Sequence, residues 1–152
     1  MRRSPNAARR LGKSPGDWAP VIGIDTNILV RFLVRDDPGQ SLRARNLMQS
    51  FSADEPGFIA LAALVELVWV MQRSYGTPKE ETIAFVEHFL RAEEMVVENA
   101  AVVWQAVHAY ARSNADFTDC LIERSANQAR CTRTLTLDAK AAKTAGMRLL
   151  EK

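Results

Sequence analysis

The 152-residue chain predicts an α/β fold: a mostly parallel central sheet flanked by helices. Two observations carry that expectation. From Val21 onward, short apolar runs of strand length alternate with stretches of helical period, the order in which parallel strands are joined by crossover helices. A composition of 47% hydrophobic and 25% charged residues suits one domain with a proper core, and no internal repeat or low-complexity run interrupts it.

Each element has its own reason. "VIGID" reads as a buried first strand ending at Asp25, and "TNILVRFLV" as a short helix stopped by the turn "RDDPG". A helix from about Gln40 to Phe51 is expected to turn Leu42, Leu47 and Met48 inward and Arg43 and Arg45 outward. The strand "FIAL" leads into a strongly apolar helix. "GTPKEE" then predicts a helix start with Thr77 as N-cap, Pro78 at the first position and Glu80 closing a capping box. That helix runs to about Ala92 with Ile83, Val86, Phe89 and Leu90 on one face. "MVVE" is a strand, and a helix from about Ala100 to Arg112 presents Val103, Val107 and Tyr110. Another helix opens near "NADFTDCLIERSANQ". The chain closes with the strand "TRTLTLD", the helix "AKAAKTAG" and the strand "MRLLE".

Residues 1–20 hold five of the twenty basic side chains but one of the eighteen acidic ones, Asp17, so the remainder is slightly acidic at fifteen against seventeen. With three prolines, two glycines and little periodicity, this stretch reads as a disordered extension ahead of a domain spanning residues 21–152. A basic arm for nucleic acid, a transit peptide and a leader with no role all remain open for it. Cys120 and Cys131 form no disulfide framework and no metal-ligand spacing. They read as small buried hydrophobes in a reducing compartment. No apolar run reaches the roughly 20 residues of a membrane span and no hydrophobic signal core opens the chain, so a cytoplasmic protein is expected.

The segment "GFIALAALVELVWVMQRSYG", residues 57–76, carries a carboxylate, Glu66, whose helical neighbours are Ala62, Ala63, Trp69 and Val70. None marks a solvated face, and a carboxylate against apolar surroundings must neutralise, pair or bind a cation. Partners are available elsewhere. Asp25 and Asp138 stand at the carboxyl ends of predicted strands, the edge where open α/β sheets bind ligands. Asp116 and Asp119, three apart at the mouth of a helix, can face the same side. Five carboxylates from four segments can thus meet at one edge, and hard oxygen donors without His or Cys specify Mg²⁺, or Mn²⁺, rather than zinc. Each aspartate also has a plainer reading as a helix cap: Asp25 for the first helix, Asp116 with Asp119 at N3, and Asp138 for the last.

"GIDTNILVRFL", "LAALVELVWVM", "ADFTDCLIERSA" and "TLTLDAKAAK" together resemble, in order and spacing, the PIN-domain ribonucleases, and look most like the VapC toxins of toxin–antitoxin pairs. The resemblance covers about Val21 to Glu151 and implies a PIN-like fold. It matches Asp25, Glu66, Asp119 and Asp138 to the family's four acidic positions and Asp116 to an additional acid. It also matches Asn27 to the polar residue that braces the first aspartate, while the basic extension departs from the pattern. The implied chemistry is Mg²⁺-dependent hydrolysis of RNA, by in-line attack of a water activated by one or two ions. Asp25 and Asp119 are expected as direct ligands, Glu66 and Asp138 as holders of a second ion or its waters, and Thr26 and Asn27 as orienting residues behind them.

The implied partners are an RNA substrate, a small antitoxin laid over the acidic groove and a second copy of the chain in a homodimer, with no membrane. Trp69, Met71 and Trp104 are candidates for a partner surface, and Arg31, Arg35, Arg43 and Arg45 for phosphate contacts. His88 and His108 have no acidic or Ser partner in register and read as solvated or packed side chains. Two alternatives stand beside this. A haloacid-dehalogenase-like phosphatase also uses an Asp after the first strand, but needs a second Asp where this chain has Asn27. A non-catalytic binding module on the same fold would keep its acids as caps.

Overall fold

The computed structural model describes residues 22–151, so the basic extension assigned to residues 1–20 lies outside the described residues. The chain forms two compact units. One holds residues 22–78 with His88–Glu98; the other holds Lys79–Glu87 with residues 99–151.

In the first unit, strands β1 (Ile22–Gly23), β2 (Gly57–Ile59) and β3 (Met95–Val97) form a parallel sheet in the order β1-β2-β3. Gly57 pairs with Ile22 on one side and Met95 on the other. The ladder outlasts the strands at their carboxyl ends, where Ile24 N donates to Phe58 O at 2.9 Å and Glu98 N to Ile59 O at 3.0 Å. Gly57 is required by contact: a Cβ there would lie 2.6 Å from Ile24 Cδ1 and 2.9 Å from Phe51 Cε2.

Helix α1 (Thr26–Leu33) starts directly after β1, with Asp25 as its N-cap, and buries Thr26, Leu29 and Val30. Helix α2 (Pro38–Ser50) starts on Pro38 with Asp37 Oδ1 accepting from Gln40 N at 3.0 Å. Its inward face differs from the one expected. Ser41, Ala44 and Met48 are buried, whereas Leu42 is 53% exposed. The small Ser41 faces α1, donating its hydroxyl to Val34 O at 3.1 Å, and this turns the next residue outward. Helix α3 (Leu61–Tyr75) buries Leu64, Leu67, Val68 and Met71 and ends at Gly76 in the left-handed conformation, φ 62°.

The capping box expected at Thr77 is absent. Helix α4 (Lys79–Arg91) has Pro78 as its N-cap with no side-chain cap bond. The amide of Thr77, which the box would pair with Glu80, donates instead to Met71 O at 3.1 Å in closing α3. The residues of α4 divide between the units. Thr82, Phe85 and Val86 are buried on the part belonging to the second, and Phe89, 6.3 Å from the Phe32 ring, on the part belonging to the first.

In the second unit, α5 (Ala100–Ala111) and α6 (Phe117–Gln128) pack together, Tyr110 meeting Phe117 edge-on at 5.8 Å between ring centres. The expected inward residues Val103, Val107 and Tyr110 are all buried. Strands β4 (Leu135–Thr136) and β5 (Arg148–Leu149) pair in parallel across α7 (Ala139–Thr144), which buries Ala141. Every strand pair among the described residues is parallel, as the alternating order predicts, and the strands belong to two sheets. Cys120 is buried, but Cys131, expected as a small buried hydrophobe, is exposed because it follows the end of α6. No helix among the described residues is long and apolar enough to cross a membrane.

Candidate functional site

The first unit brings Asp25 and Glu66 onto one residue. Asp25 is in extended conformation at the end of β1, and its Oδ1 accepts from Thr26 N at 2.8 Å. The hydroxyl of Thr26 donates to Glu66 Oε2 at 2.9 Å and approaches Ala63 O at 3.4 Å. Thr26 is 5% exposed, so it reaches both acids from the packed side. Asn27, one residue on, is exposed.

Glu66 itself is exposed, as are Ala62 and Trp69 one turn to either side. The expectation of an apolar, dry surround is therefore corrected. The core face of α3 is the one carrying Leu64, Leu67, Val68 and Met71, and the Ala and Trp neighbours of Glu66 lie at the surface. The apolar run misled because small and aromatic residues there sit on an outward face of the helix.

A residue that the sequence reading did not single out completes this part. Ala60 gives α3 no side-chain cap. Instead, Glu98, just past β3, accepts from Leu61 N through Oε2 at 2.7 Å. An acid placed there offsets the partial positive charge of the helix start. Glu98 holds the strand-end position that drew attention to Asp25 and Asp138, so the same signal could have found it.

The second unit gathers the remaining acids. Asp116 is the N-cap of α6 but makes no side-chain bond to its own helix. Its Oδ1 instead accepts from Lys140 Nζ at 3.0 Å. Asp138 caps α7, Oδ1 accepting from Lys140 N at 2.8 Å and Ala141 N at 3.3 Å, and its own amide donates to Thr136 Oγ1 at 3.0 Å. Asp119 sits half-buried in the first turn of α6. Burial chiefly, then the nearby charges of Asp116 and Asp138, push its carboxyl above the ordinary aspartate range, with Lys140 partly offsetting them. The charges around Lys140 hold its ammonium above the usual lysine range, the hydrogen bond to Asp116 contributing most.

The carboxylates thus form two sets: Asp25 with Glu66, and Asp116, Asp119 and Asp138 with Lys140. Among the described residues no three His, Cys, Asp or Glu side chains are grouped so as to hold a metal ion. The donor chemistry still suits a hard divalent cation, since every candidate donor is a carboxylate oxygen and a cation would offset the like charges of Asp116 and Asp138 that add to burial in raising Asp119. The capping reading also has its observations, because Asp25 and Asp138 accept helix-terminal N–H groups.

Other expected residues divide. Arg31 is engaged within its own unit, donating to Asp36 Oδ1 at 2.6 Å and Gln40 Oε1 at 2.8 Å, while Arg35 and Arg43 are exposed and Arg45 half-buried. Trp69 is 58% exposed, Trp104 half-buried and Met71 buried in the core. His88 and His108 are exposed and lie against Phe89 and Trp104 respectively.

The family model described as PIN domain matches residues 22–147. The chain is also 26% identical over 102 residues to a VapC ribonuclease of Aquifex aeolicus (strain VF5), an alignment covering 64% of this chain and 73% of that relative.

Proposed function

Because the chain belongs to the PIN-domain family, we propose that it is a metal-dependent ribonuclease, the toxin of a toxin–antitoxin pair, hydrolysing RNA phosphodiesters with Asp25, Glu66, Asp116, Asp119 and Asp138. The observation that carries this reading is the PIN-domain match over residues 22–147, supported by the likeness to a VapC ribonuclease and by the placing of Asp119 near Asp116 and Asp138. A divalent cation would offset the like charges of these aspartates.

In this proposal Asp25 and Asp119 hold Mg²⁺ or Mn²⁺ directly, and Glu66 and Asp138 hold a second ion or its waters. A bound divalent cation supplies charge neutralisation at the attacked phosphate and activation of water. The chain's own residues do the positioning. Thr26 fixes Asp25 through its amide and Glu66 through its hydroxyl. Asp138 is held by the N-terminal amides of α7 and by Thr136, and Asp116 by Lys140. Asn27, exposed two residues after Asp25, is assigned to orient Asp25 or its ligand.

The proposed partners follow from the VapC likeness: an RNA substrate, a second copy of the chain and a small antitoxin, with exposed Trp69 supporting an apolar contact surface. RNA as substrate, and free thiols at Cys120 and Cys131, fit work in a reducing cytoplasm.

The experiment is paired. Single-stranded and structured RNAs are incubated with Mg²⁺, Mn²⁺ or chelator, using the wild type, Asp25→Asn and Asp119→Asn, and each variant is also melted. Loss of cleavage in both variants with the fold kept, and loss in chelator, is the expected result. Retained activity together with a lowered melting temperature would favour the capping reading instead.

A further inference from the structure

The metal-nuclease reading uses Lys140 only to hold Asp116. Lys140 forms an ion pair with Asp116, one of the three aspartates gathered in the second unit. Its backbone amide is held by Asp138 and its ammonium by Asp116, so one residue bridges two of the three aspartates. Asp116 in turn leaves its own helix uncapped by its side chain to make this pair.

We propose that Lys140 is a tethered counter-ion that competes with the divalent cation for these carboxylates and, once displaced, turns to the phosphate of the substrate. The inference rests on the metal-nuclease reading. Its geometry is local: the ammonium lies 3.0 Å from Asp116 Oδ1, on a helix whose first turn is fixed by Asp138. The Lys140 and Asp116 side chains are 55% and 65% exposed, so their pair is a weak one that a divalent ion exchanges readily. A four-carbon stem lets the ammonium swing while the backbone stays put. Such a residue keeps the carboxylates partly neutralised when no metal is present. A phosphate arriving with the cation then meets a positive charge already positioned beside the site.

This role has a signature of opposite signs. Removing the charge frees the carboxylates for the metal and deprives the RNA of a contact, whereas a merely structural lysine, once removed, would weaken both. The test measures Mn²⁺ binding to the full chain from the loss of the free-ion paramagnetic resonance signal, and KM for a single-stranded RNA oligonucleotide at saturating Mn²⁺.

Lys140→Met should bind Mn²⁺ roughly three- to tenfold more tightly, since one competing charge a few ångströms away is gone, and should raise KM several-fold. Lys140→Arg should restore the wild-type KM. Unchanged or weaker Mn²⁺ binding by Lys140→Met overturns the proposal, as does an unchanged KM. Asp119→Asn separates the two readings. If the wild type binds Mn²⁺ and Asp119→Asn does not, the metal reading stands and the lysine result decides the inference alone. If the wild type binds no Mn²⁺, both fall.

Discussion

Thr26 joins the two acids of the first unit: its hydroxyl donates to Glu66 Oε2 at 2.9 Å while its amide donates to Asp25 Oδ1 at 2.8 Å. A residue at the start of α1 thereby fixes a carboxylate on α3. Replacing Thr26 with Val keeps the shape but removes the donor. Stability should fall by about 1 kcal/mol, the usual net value of one hydrogen bond, and RNA cleavage should fall further than stability explains. Thr26→Ser should restore most of both. Urea midpoints and cleavage rates measured side by side check this, and a Val variant with wild-type cleavage would remove Thr26 from the positioning role.

Asp119 gives a prediction with a definite pH sign. Its carboxyl is raised above the ordinary range, so the folded protein holds that proton more tightly than the unfolded chain does. The stabilisation from protonation is fully present below the unfolded value of about 3.9, and is lost as pH rises through the folded value. Asp119→Asn mimics the protonated form. In chelator its melting temperature should exceed that of the wild type at neutral pH, and the two should converge as the solution is acidified. Cleavage should fall by more than the roughly 100-fold seen when a ligand's supporting partner is lost.

Gly57 pairs on both sides at the centre of the three-stranded sheet, with Ile24 and Phe51 closing over it. Gly57→Ala forces both buried side chains to move, an overpacking that should cost about 1–3 kcal/mol. Thermal melts decide it. A variant as stable as the wild type would mean that Ile24 and Phe51 have room to give.

Glu98 replaces the missing side-chain cap of α3 by accepting from Leu61 N at 2.7 Å. Glu98→Ala should cost about 0.5–2 kcal/mol, as loss of a cap does, and Glu98→Gln should keep much of the bond. Hydrogen exchange should show faster exchange at Leu61 in the Ala variant. Slow exchange there in the absence of Glu98 would assign the cap to another group.

The sequence by itself determined the element order and, through it, the parallel sense of the strand pairs. Strand and helix periods are written in neighbouring residues, and alternation of the two forces crossover connections. The four motifs carrying the PIN resemblance are short runs that keep their spacing, and the family match over residues 22–147 agrees with them.

What only the tertiary structure decided is which face each side chain took and which partner it found. The run around Glu66 looked dry because its residues are apolar, yet the outward side of α3 carries Ala62, Glu66 and Trp69. Leu42 lost its inward place to Ser41, which fits closer to α1, and the amide of Thr77, which a capping box pairs with Glu80, went to Met71 O. The pairs Thr26 with Glu66, Glu98 with Leu61 and Lys140 with Asp116 lie forty, thirty-seven and twenty-four residues apart. No local pattern encodes contacts at such separations. They form only when packing of the apolar residues has brought the helices together, and the hydrogen bonds then settle which polar groups face one another.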